Sequence, residues 1–396
     1  MTITYGKSVH GKEEISAVLK VLKSSTQMGK NVNNFEKKIS SLFSKKHGIM
    51  VNSGSSALFL AIKVLNLKNN YNVITPVFTF GTTVASIIQN GLIPNFIDIE
   101  KDTYCIDVNK IEKQIDSKTI AICVPNLIGN LPDWKKIKFL AKKYKLFIIE
   151  DSADTINAKI NNKSTGSYSD ISITSFYGSH IINCAGNGGM LCTSDKNFAD
   201  EARIYRSWGR SSSLFRDSEN INKRLNYKLD GINYDAKFIF EKIGYNFEPS
   251  EIGAAFGLVQ IKKLSENIKI RNKNFNAHYK FLEKYNDIFV LPKILPDVKT
   301  NFLAFPIQFK ENSKLKRNEL QKFLEKNKIQ TRVIFTGNIL RQPGFKKIKY
   351  ISHNKNYNNA DTVMRNGMLI GCHHGLSNND INFIHKKITK FIEMKL

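Results

Sequence analysis

The sequence predicts an α/β protein with a large domain over residues 1–250 and a smaller C-terminal α/β domain over residues 251–396. From residue 50 to about 195, short apolar runs alternate with segments that repeat apolar residues at helical spacing. That alternation is typical of a sheet covered by helices on both faces. After about residue 250 the pattern changes to one long helical stretch followed by fewer strands and helices.

The individual elements follow from apolar periodicity and from the turn residues between them. The predicted strands are 71–76, 92–99, 120–126, 145–151, 171–177 and 189–194, and the predicted helices are 55–66, 82–90, 107–115 and 134–144. In the C-terminal part, the pattern predicts a helix from Glu251 toward Tyr285 and a last helix from about Ser377. Between these two helices it predicts the strand-like segments FLAFPIQF and QTRVIF, which are separated by the helix LKRNELQKFLEKNKI. The polar stretch 211–240 is predicted to be a surface excursion.

Composition narrows the class of protein. The chain has 396 residues, and 60 Lys and Arg against 34 Asp and Glu give a net charge of +26. The basic residues are scattered along the chain, so nucleic-acid binding is not favoured, whereas a positive surface would attract an anionic small substrate. No leader pattern and no apolar run of the roughly 18 residues that a membrane span needs are found, so we expect a cytoplasmic protein without a membrane partner. Five cysteines without a C-x-x-C pair predict buried free thiols and no metal site.

The stretch NSGSSALFLAI places Gly54 and Ser55 at the start of a predicted helix. Free backbone N–H groups at a helix start, together with small hydroxyl side chains, can bind a phosphate group. The same residue types also serve as ordinary helix caps. This stretch alone therefore leaves both interpretations open.

The stretch IIEDSADT ends an apolar strand with Glu150, Asp151 and Asp154. Ligands of open α/β sheets bind at the carboxyl ends of the strands, so these carboxylates are well placed for function. A buried carboxylate there could keep the ring nitrogen of pyridoxal phosphate protonated, or it could cap a helix. In TPVFTFGTTV, Phe80 could stack on a flat cofactor, although aromatic residues at strand ends often belong to the core.

The order of six motifs resembles the DegT/DnrJ family of nucleotide-sugar aminotransferases. The motifs are SGSSAL, TPVFTFGTT, VPNLIGNLPDW, IIEDSAD, SFYGSH followed by GNGGML, and GYNFEPSEIGAAFGLVQ, and the resemblance runs from about Met28 to at least residue 375. It implies the aspartate-aminotransferase-like fold, which is fold type I of the enzymes that use pyridoxal 5'-phosphate (PLP). It also implies a homodimer that binds PLP at the subunit interface.

The resemblance assigns roles to the residues in these motifs. Asp151 would pair with the pyridine nitrogen and Phe80 would stack on the ring, while small residues of two motifs and an amide would hold the phosphate. The cofactor-binding residues implied are Gly54, Ser55, Phe80, Asp151, Asp154, Ser175 and, from the partner subunit, Asn246.

His180 stands where these aminotransferases have the lysine that forms the Schiff base. This resembles a branch of the family, the 3-dehydratases of GDP- or CDP-linked 4-keto-6-deoxy sugars. The branch implies that pyridoxamine 5'-phosphate acts on the sugar, that L-glutamate restores it, and that the C3 hydroxyl is lost in deoxysugar and surface-polysaccharide biosynthesis. An imidazole with a pKa near 6.5 could take a proton and pass it to the leaving oxygen.

The CDP-linked members carry an iron–sulfur cluster on cysteines just after the WGR segment. Here Ser211, Ser212 and Ser213 occupy that place, and no cysteine occurs between residues 193 and 371. Serine hydroxyls do not normally replace thiolates at such clusters. We therefore predict no cluster and a cycle in which glutamate alone restores the cofactor.

Weaker candidates and two other functions complete the expectations. Arg210 and Arg332, with His373 and His374, are candidates for binding the sugar diphosphate or the glutamate carboxylate, because arginine binds such groups with two hydrogen bonds. Surface salt bridges would explain the arginines equally well. An aminotransferase that uses another lysine, for instance Lys163, and a catalytically inactive PLP-binding homologue both stay open.

Overall fold

The computed structural model describes residues 2–215, 220–353 and 356–395 of the chain. The strands in these ranges are β1 (His47–Val51), β2 (Asn72–Pro76), β3 (Ile93–Ile97), β4 (Thr119–Pro125), β5 (Phe147–Asp151), β6 (Lys159–Ile160), β7 (Lys163–Ser164), β8 (Ile171–Ser175), β9 (Gly189–Thr193), β10 (Tyr227–Leu229), β11 (Ile232–Tyr234), β12 (Phe289–Val290), β13 (Val298–Lys299), β14 (Phe305–Phe309), β15 (Thr331–Val333) and β16 (Gly367–Ile370).

Polar side chains cap several of the helices, for example the Ser250 hydroxyl, which accepts a hydrogen bond from the Gly253 N–H at 3.3 Å. Such caps satisfy N–H groups that have no partner in the first turn. The helices are α1 (Lys12–Leu22), α2 (Lys30–Leu42), α3 (Gly54–Lys63), α4 (Gly81–Gln89), α5 (Ile111–Gln114), α6 (Trp134–Tyr144), α7 (Lys196–Arg206), α8 (Ile221–Leu225), α9 (Glu251–Glu283), α10 (Arg317–Lys326), α11 (Asn358–Asn366) and α12 (Asn378–Glu393). None of them is long and apolar enough to cross a lipid bilayer.

A seven-stranded sheet with the order β1-β9-β8-β5-β4-β2-β3 forms the centre of the molecule. The strands β8, β5, β4, β2 and β3 pair in parallel, and β9 is antiparallel to both β8 and β1. Successive residues of β4 pack on opposite faces: Ala121 and Cys123 belong to the core cluster under α3, and Ile122 and Val124 to the cluster under α6. Burial of both faces is the expected environment of parallel strands.

A second, four-stranded antiparallel sheet has the order β12-β14-β16-β15 and packs with α10, α11 and α12. The start of the chain joins this part of the molecule, because the Ile3 N–H donates to the Lys328 carbonyl and the Ile3 carbonyl accepts from the Gln330 N–H, both at 2.9 Å. The core under this sheet also includes residues near β2 and β3, such as Phe78 and Phe96. The domain boundary near residue 250 stays a prediction.

Most predicted elements lie within two residues of the observed ones. The predicted helix 107–115 is instead a short 3-10 turn followed by α5. The strand β1 was not predicted because its apolar run, Ile49, Met50 and Val51, is shorter than the roughly four to eight residues that indicate a buried strand. The excursion at 211–240 contains α8 and the exposed hairpin β10–β11, and residues 216–219 of it lie outside the described ranges.

Candidate active site

A cavity of about 390 Å³ opens at the carboxyl ends of β4, β5 and β8, beside the start of α3. This is the edge of a parallel sheet at which ligands are expected. No lysine or arginine lines the cavity among the described residues. Its walls are Tyr5, Ser53, Gly54, Ser55, Leu58, Thr79, Phe80, Thr82, Thr83, Pro125, Leu127, Asp151, Ala153, Asp154, Ile173, Ser175, Tyr177, Ser179, His180, Asn187, Gly188, Leu303 and Phe335.

Asp151 is the last residue of β5 and is buried at the base of the cavity. One carboxylate oxygen accepts from the Thr83 hydroxyl at 3.1 Å and the other from the Ala153 N–H at 3.2 Å. Burial raises the pKa of Asp151 to about 6, against the lowering effect of these two hydrogen bonds. A cationic partner in the cavity would restore the charged form, because it would replace the lost hydration.

Asp154 also lines the cavity, three residues after Asp151. Its carboxylate accepts from the Ile128 N–H at 2.9 Å. Ile128 has a φ of 62°, which is an uncommon conformation for a β-branched residue and indicates that its surroundings hold it there. Burial raises the pKa of Asp154 to about 7, and Asp151 adds to the rise.

The start of α3 and the end of β8 approach each other closely on one side of the cavity. A Cβ atom at Gly54 would lie 2.6 Å from the Cβ of Ser175, so a larger residue could not occupy this position without displacement. The Ser53 hydroxyl caps the Ser56 N–H at 3.1 Å, while the N–H groups of Gly54 and Ser55 have no acceptor within the helix. These groups, with the hydroxyls of Ser55 and Ser175, can bind a phosphate.

His180 lies on the turn after β8, and its ring packs edge to face against Tyr177 with the centroids 5.8 Å apart. The Nδ1 atom is 3.4 Å from the Ser175 carbonyl oxygen, which can only accept, so this contact requires the proton on Nδ1 and leaves Nε2 as an acceptor. Desolvation by burial lowers the pKa of His180 to about 4, and the charge of Arg271 acts in the same direction. The imidazole is therefore neutral near pH 7 and can take up a proton.

Phe80 precedes α4 and is 54% exposed at the edge of the cavity. Its ring meets Phe335 edge to face, with the centroids 6.0 Å apart. An exposed aromatic face at this position is available for stacking on a flat ligand. The proposed stacking of Phe80 on the cofactor ring stays a prediction.

Three of the predicted site residues do not line the cavity of their own chain. Asn246 is exposed near β1, where its carbonyl accepts from the Asn52 side chain at 3.5 Å. The Arg210 guanidinium stacks on Trp208 at 4.3 Å from the ring centroid. Arg332 lies over the ring of Tyr5 at 5.7 Å from its centroid and so reaches the wall only through that residue. The roles assigned to all three stay predictions.

His373 and His374, the weaker candidates, are also absent from the cavity wall. His373 is buried, and its Nε2 atom donates to the Thr4 carbonyl at 3.0 Å. His374 accepts at Nδ1 from Nε of Arg271 at 3.2 Å. Burial lowers the pKa of His373 to about 4 and that of His374 to about 3.

Sequence patterns missed several wall residues that come from distant parts of the chain. Tyr5 comes from the N-terminus, and Leu303 and Phe335 come from the segments before β14 and after β15. Thr83, whose hydroxyl donates to Asp151, lies in the TPVFTFGTT motif, but nothing in the sequence pattern marked it as a site residue. Only the tertiary contacts identify these residues.

The fold and the site together define the class of protein. The mixed sheet of seven strands has the architecture of PLP-dependent enzymes of fold type I. The residues of the cavity fit PLP: a buried carboxylate, Asp151, is available for a ring nitrogen, and the Gly54–Ser55 helix start is open for a phosphate. PLP supplies this class with an electron sink for reactions at an attached substrate.

The chain belongs to the DegT/DnrJ/EryC1/StrS aminotransferase family, whose sequence profile matches residues 8–389. The lipopolysaccharide biosynthesis protein RfbH of Salmonella typhimurium is 33% identical over 368 residues, which cover 90% of this chain and 84% of that relative. The GDP-4-keto-6-deoxy-D-mannose 3-dehydratase of Escherichia coli O55:H7 is 31% identical over 369 residues, covering 91% of this chain and 92% of the relative. A crystal structure of GDP-4-keto-6-deoxymannose-3-dehydratase with a trapped PLP-glutamate geminal diamine has a TM-score of 0.86 at 27% identity, covering 97% of this chain and 99% of that one.

All five cysteines are buried and free. Within the described ranges, no group of three or more His, Cys, Asp or Glu side chains could hold a metal ion. Ser211, Ser212 and Ser213 form a 3-10 turn after α7. The absence of an iron–sulfur cluster stays a prediction.

Proposed function

We propose that this protein is a nucleotide-sugar 3-dehydratase that uses PLP in its amine form. Its substrate would be a GDP- or CDP-linked 4-keto-6-deoxyhexose, and its product the corresponding 3,6-dideoxy-4-keto sugar. L-glutamate would re-aminate the cofactor, and the reaction would serve deoxysugar and lipopolysaccharide biosynthesis. The observation that carries the proposal is a neutral histidine, His180, in the place of the Schiff-base lysine.

Different wall residues would bind the cofactor and transfer protons in such a reaction. Asp151 would hold the pyridine nitrogen protonated, and the Gly54–Ser55 helix start with Ser175 would fix the phosphate. The unprotonated Nε2 atom of His180 would take a proton and deliver it to the departing C3 hydroxyl. A neutral imidazole suits both steps because it can accept a proton first and donate it afterwards.

The proposal that glutamate closes the cycle has two supports. A related dehydratase has been captured with a PLP-glutamate adduct, and the serines at 211–213 offer no thiolate for a cluster. A cycle with glutamate alone needs no electron carrier. We include the cytoplasm as the location, because five free cysteines are typical of a reducing compartment.

The family description favours a second candidate, an aminotransferase, which requires a lysine in contact with the cofactor. Lys163 begins the short strand β7, is exposed, and is not part of the cavity wall. A catalytically inactive homologue is the third candidate. The polar wall residues argue against an inactive homologue. Burying carboxylates costs free energy, and a site without a ligand would gain nothing in return.

Borohydride reduction of the PLP-loaded protein, followed by mass spectrometry, separates these candidates. The dehydratase should show no phosphopyridoxyl group attached to the chain, whereas an aminotransferase would show one on a lysine. Incubation with glutamate should convert bound PLP to pyridoxamine phosphate, and a GDP- or CDP-linked 4-keto-6-deoxyhexose should then be turned over. A need for an added reductase would contradict the cycle with glutamate alone, and no conversion at all would favour the inactive homologue.

We also propose a homodimer in which Asn246 completes the partner's site. Asn246 is exposed on its own chain, and the surface around it carries large apolar residues, including Ile243, which is 95% exposed. A surface that exposes several large apolar residues is typical of a protein–protein interface. Sedimentation analysis should show a dimer for the wild type and weaker dimerisation for Ile243→Glu. A monomeric wild type would contradict the proposal.

A further inference from the structure

The first residues of the chain form an extended segment, residues 3–9, that we call the N-terminal strap. On one side it is fixed to the small sheet, through the two Ile3 hydrogen bonds already described and through the Tyr5 N–H, which donates to Oε1 of Gln330 at 3.2 Å. Gly371 has no side chain here, and a Cβ atom at that position would lie 2.7 Å from the Thr4 carbonyl oxygen. The backbone of the strap is therefore firmly positioned against the small sheet.

On its other side the strap touches the turn that carries His180. Gly6 packs on Ser179, since a Cβ atom at Gly6 would lie 2.8 Å from the Cβ of Ser179. Further along, the Val9 carbonyl accepts from the Gln260 side chain at 3.1 Å. Contacts at both sides fix the position of Tyr5 between the small sheet and the His180 turn.

Tyr5 lines the cavity, and its hydroxyl makes no hydrogen bond with any residue that the structure describes. Burial raises the pKa of the Tyr5 phenol well above its usual value, and the charge of Asp154 adds to that rise. The phenol is therefore neutral and keeps a proton to donate. An unused donor on the wall of a cavity costs little only if water or a ligand binds it.

Arg332 supplies a positive charge beside the aromatic ring that carries this hydroxyl. Its guanidinium lies over the Tyr5 ring, and one of its N–H groups donates to the Thr331 carbonyl at 2.7 Å. No ion pair to Arg332 is found in residues 2–215, 220–353 and 356–395. Arg332 does not line the cavity itself, but it contacts the ring of a wall residue, and its charge acts on the Tyr5 phenol more strongly than that of the buried Arg271 does, so it is the cation that we assign to an anionic ligand bound at the Tyr5 hydroxyl.

We propose that Tyr5 and Arg332 together form the subsite that binds the diphosphate of a nucleotide sugar. The identity of the ligand in this proposal rests on the proposed function, whereas the positions of Tyr5 and Arg332 do not depend on it. The Tyr5 hydroxyl would donate to one phosphate oxygen, and the Arg332 guanidinium, held over the ring, would pair with the same group. Tyr5 would then be a substrate-binding residue contributed by the N-terminal strap.

Calorimetric titration of the PLP-loaded protein with GDP-mannose and with CDP-glucose tests this subsite. Wild type should bind at least one of the two. Tyr5→Phe, which keeps the ring under Arg332, should weaken that binding about 10- to 100-fold, because it removes a hydrogen bond to a charged group. Arg332→Gln should weaken it about 10-fold or more and reduce its dependence on salt.

Two variants on the exposed side of α6 serve as matched controls. Tyr144→Phe removes a hydroxyl group and Lys142→Gln removes a positive charge. Both should bind the nucleotide sugar with an affinity within about 2-fold of wild type. Cofactor absorbance verifies that every variant is loaded. If Tyr5→Phe and Arg332→Gln bind like wild type, the subsite is wrong and nucleotide-sugar binding still stands. If loaded wild type binds neither nucleotide sugar, both the proposed function and the subsite are overturned.

Discussion

The two walls of the cavity differ in how the chain builds them. The wall on the large sheet comes from strand ends and one helix start, and it carries Asp151, Ser175 and His180, which lie in two successive motifs of the sequence. The wall on the side of the small sheet combines Tyr5, Leu303 and Phe335 from segments that are far apart in the sequence. The first wall contains the groups that can react, and the second contains groups that can bind and position.

The electrostatics of the two sides differ as well. Beside the large sheet, burial raises the pKa values of Asp151 and Asp154, so acid neutralises these groups and lowers the cost of burying them. Beneath the wall on the side of the small sheet, Arg271 is fully buried without a carboxylate partner among the described residues, and it donates to the carbonyls of Phe302 and Leu303 at 3.2 and 3.3 Å. The histidines packed around that side must be neutral to stay buried, and His180 on the other wall must be neutral for the same reason.

The largest expected effect belongs to the reactive wall. His180→Gln should lower turnover of the nucleotide sugar about 1,000-fold, because a side-chain amide cannot transfer a proton at neutral pH. PLP binding, measured by absorbance titration, should change by less than about 3-fold, since no cofactor contact is removed. Equal losses in turnover and cofactor affinity would mean that His180 holds the cofactor and does not act in proton transfer.

Asp151→Asn should weaken PLP binding about 100-fold, because it removes the charge opposite the pyridine nitrogen. The melting temperature of the cofactor-free protein should stay the same or rise, since the substitution also removes a buried carboxylate with a raised pKa. Asp133→Asn keeps the cap of α6 and serves as the control, because Asn caps a helix as well as Asp does. A fall in stability without a loss of affinity would assign Asp151 a structural role only.

Acid should loosen the small sheet before the large sheet. His278 donates from Nε2 to the Gly371 carbonyl at 3.1 Å and contacts His385 through Nδ1 at 3.0 Å. Burial lowers the pKa of His278 to about 3, so the unfolded chain binds more protons below pH 6.5, and stability present above that pH is lost as the pH falls. At pH 5 the loss from His278 is about 2 kcal/mol.

Hydrogen exchange at pH 7 and pH 5 measures this difference directly. Amides of β14 and β16 should lose protection at pH 5, while those of β4 and β5 keep theirs. His278→Gln should reduce the pH dependence of the melting temperature, because it removes a titrating ring whose pKa is lowered by burial. A uniform loss of protection across both sheets would remove the distinction between the two sides.

The smallest effect tests the close approach of α3 and β8. Gly54→Ala places a Cβ atom 2.6 Å from that of Ser175 and should weaken PLP binding about 10-fold by displacing the phosphate site. Gly344→Ala is the matched control, since a Cβ atom there meets nothing within 4 Å. Unchanged affinity in Gly54→Ala would show that the helix start can shift without cost to the cofactor site.

Much of the large-sheet side could be predicted because its signals are local. The apolar runs of β2, β4, β5 and β8 alternate with helical segments, and Asp151 ends β5 while His180 follows the end of β8 within a few residues. The strand β1 was not predicted because its apolar run is too short to indicate a buried strand. The position of Asn246, away from the cavity of its own chain, had no local signal at all.

Periodicity and motif order along the chain were enough to predict the fold class, the strand ends at which a ligand is expected and the position of His180 where related aminotransferases have a lysine. Tertiary structure alone decided that Tyr5 and Phe335 join the same cavity, that Arg332 lies over the Tyr5 ring and that His180 is held neutral. These features depend on contacts between residues hundreds of positions apart and on the burial that such contacts create. No local pattern of residue types carries that information.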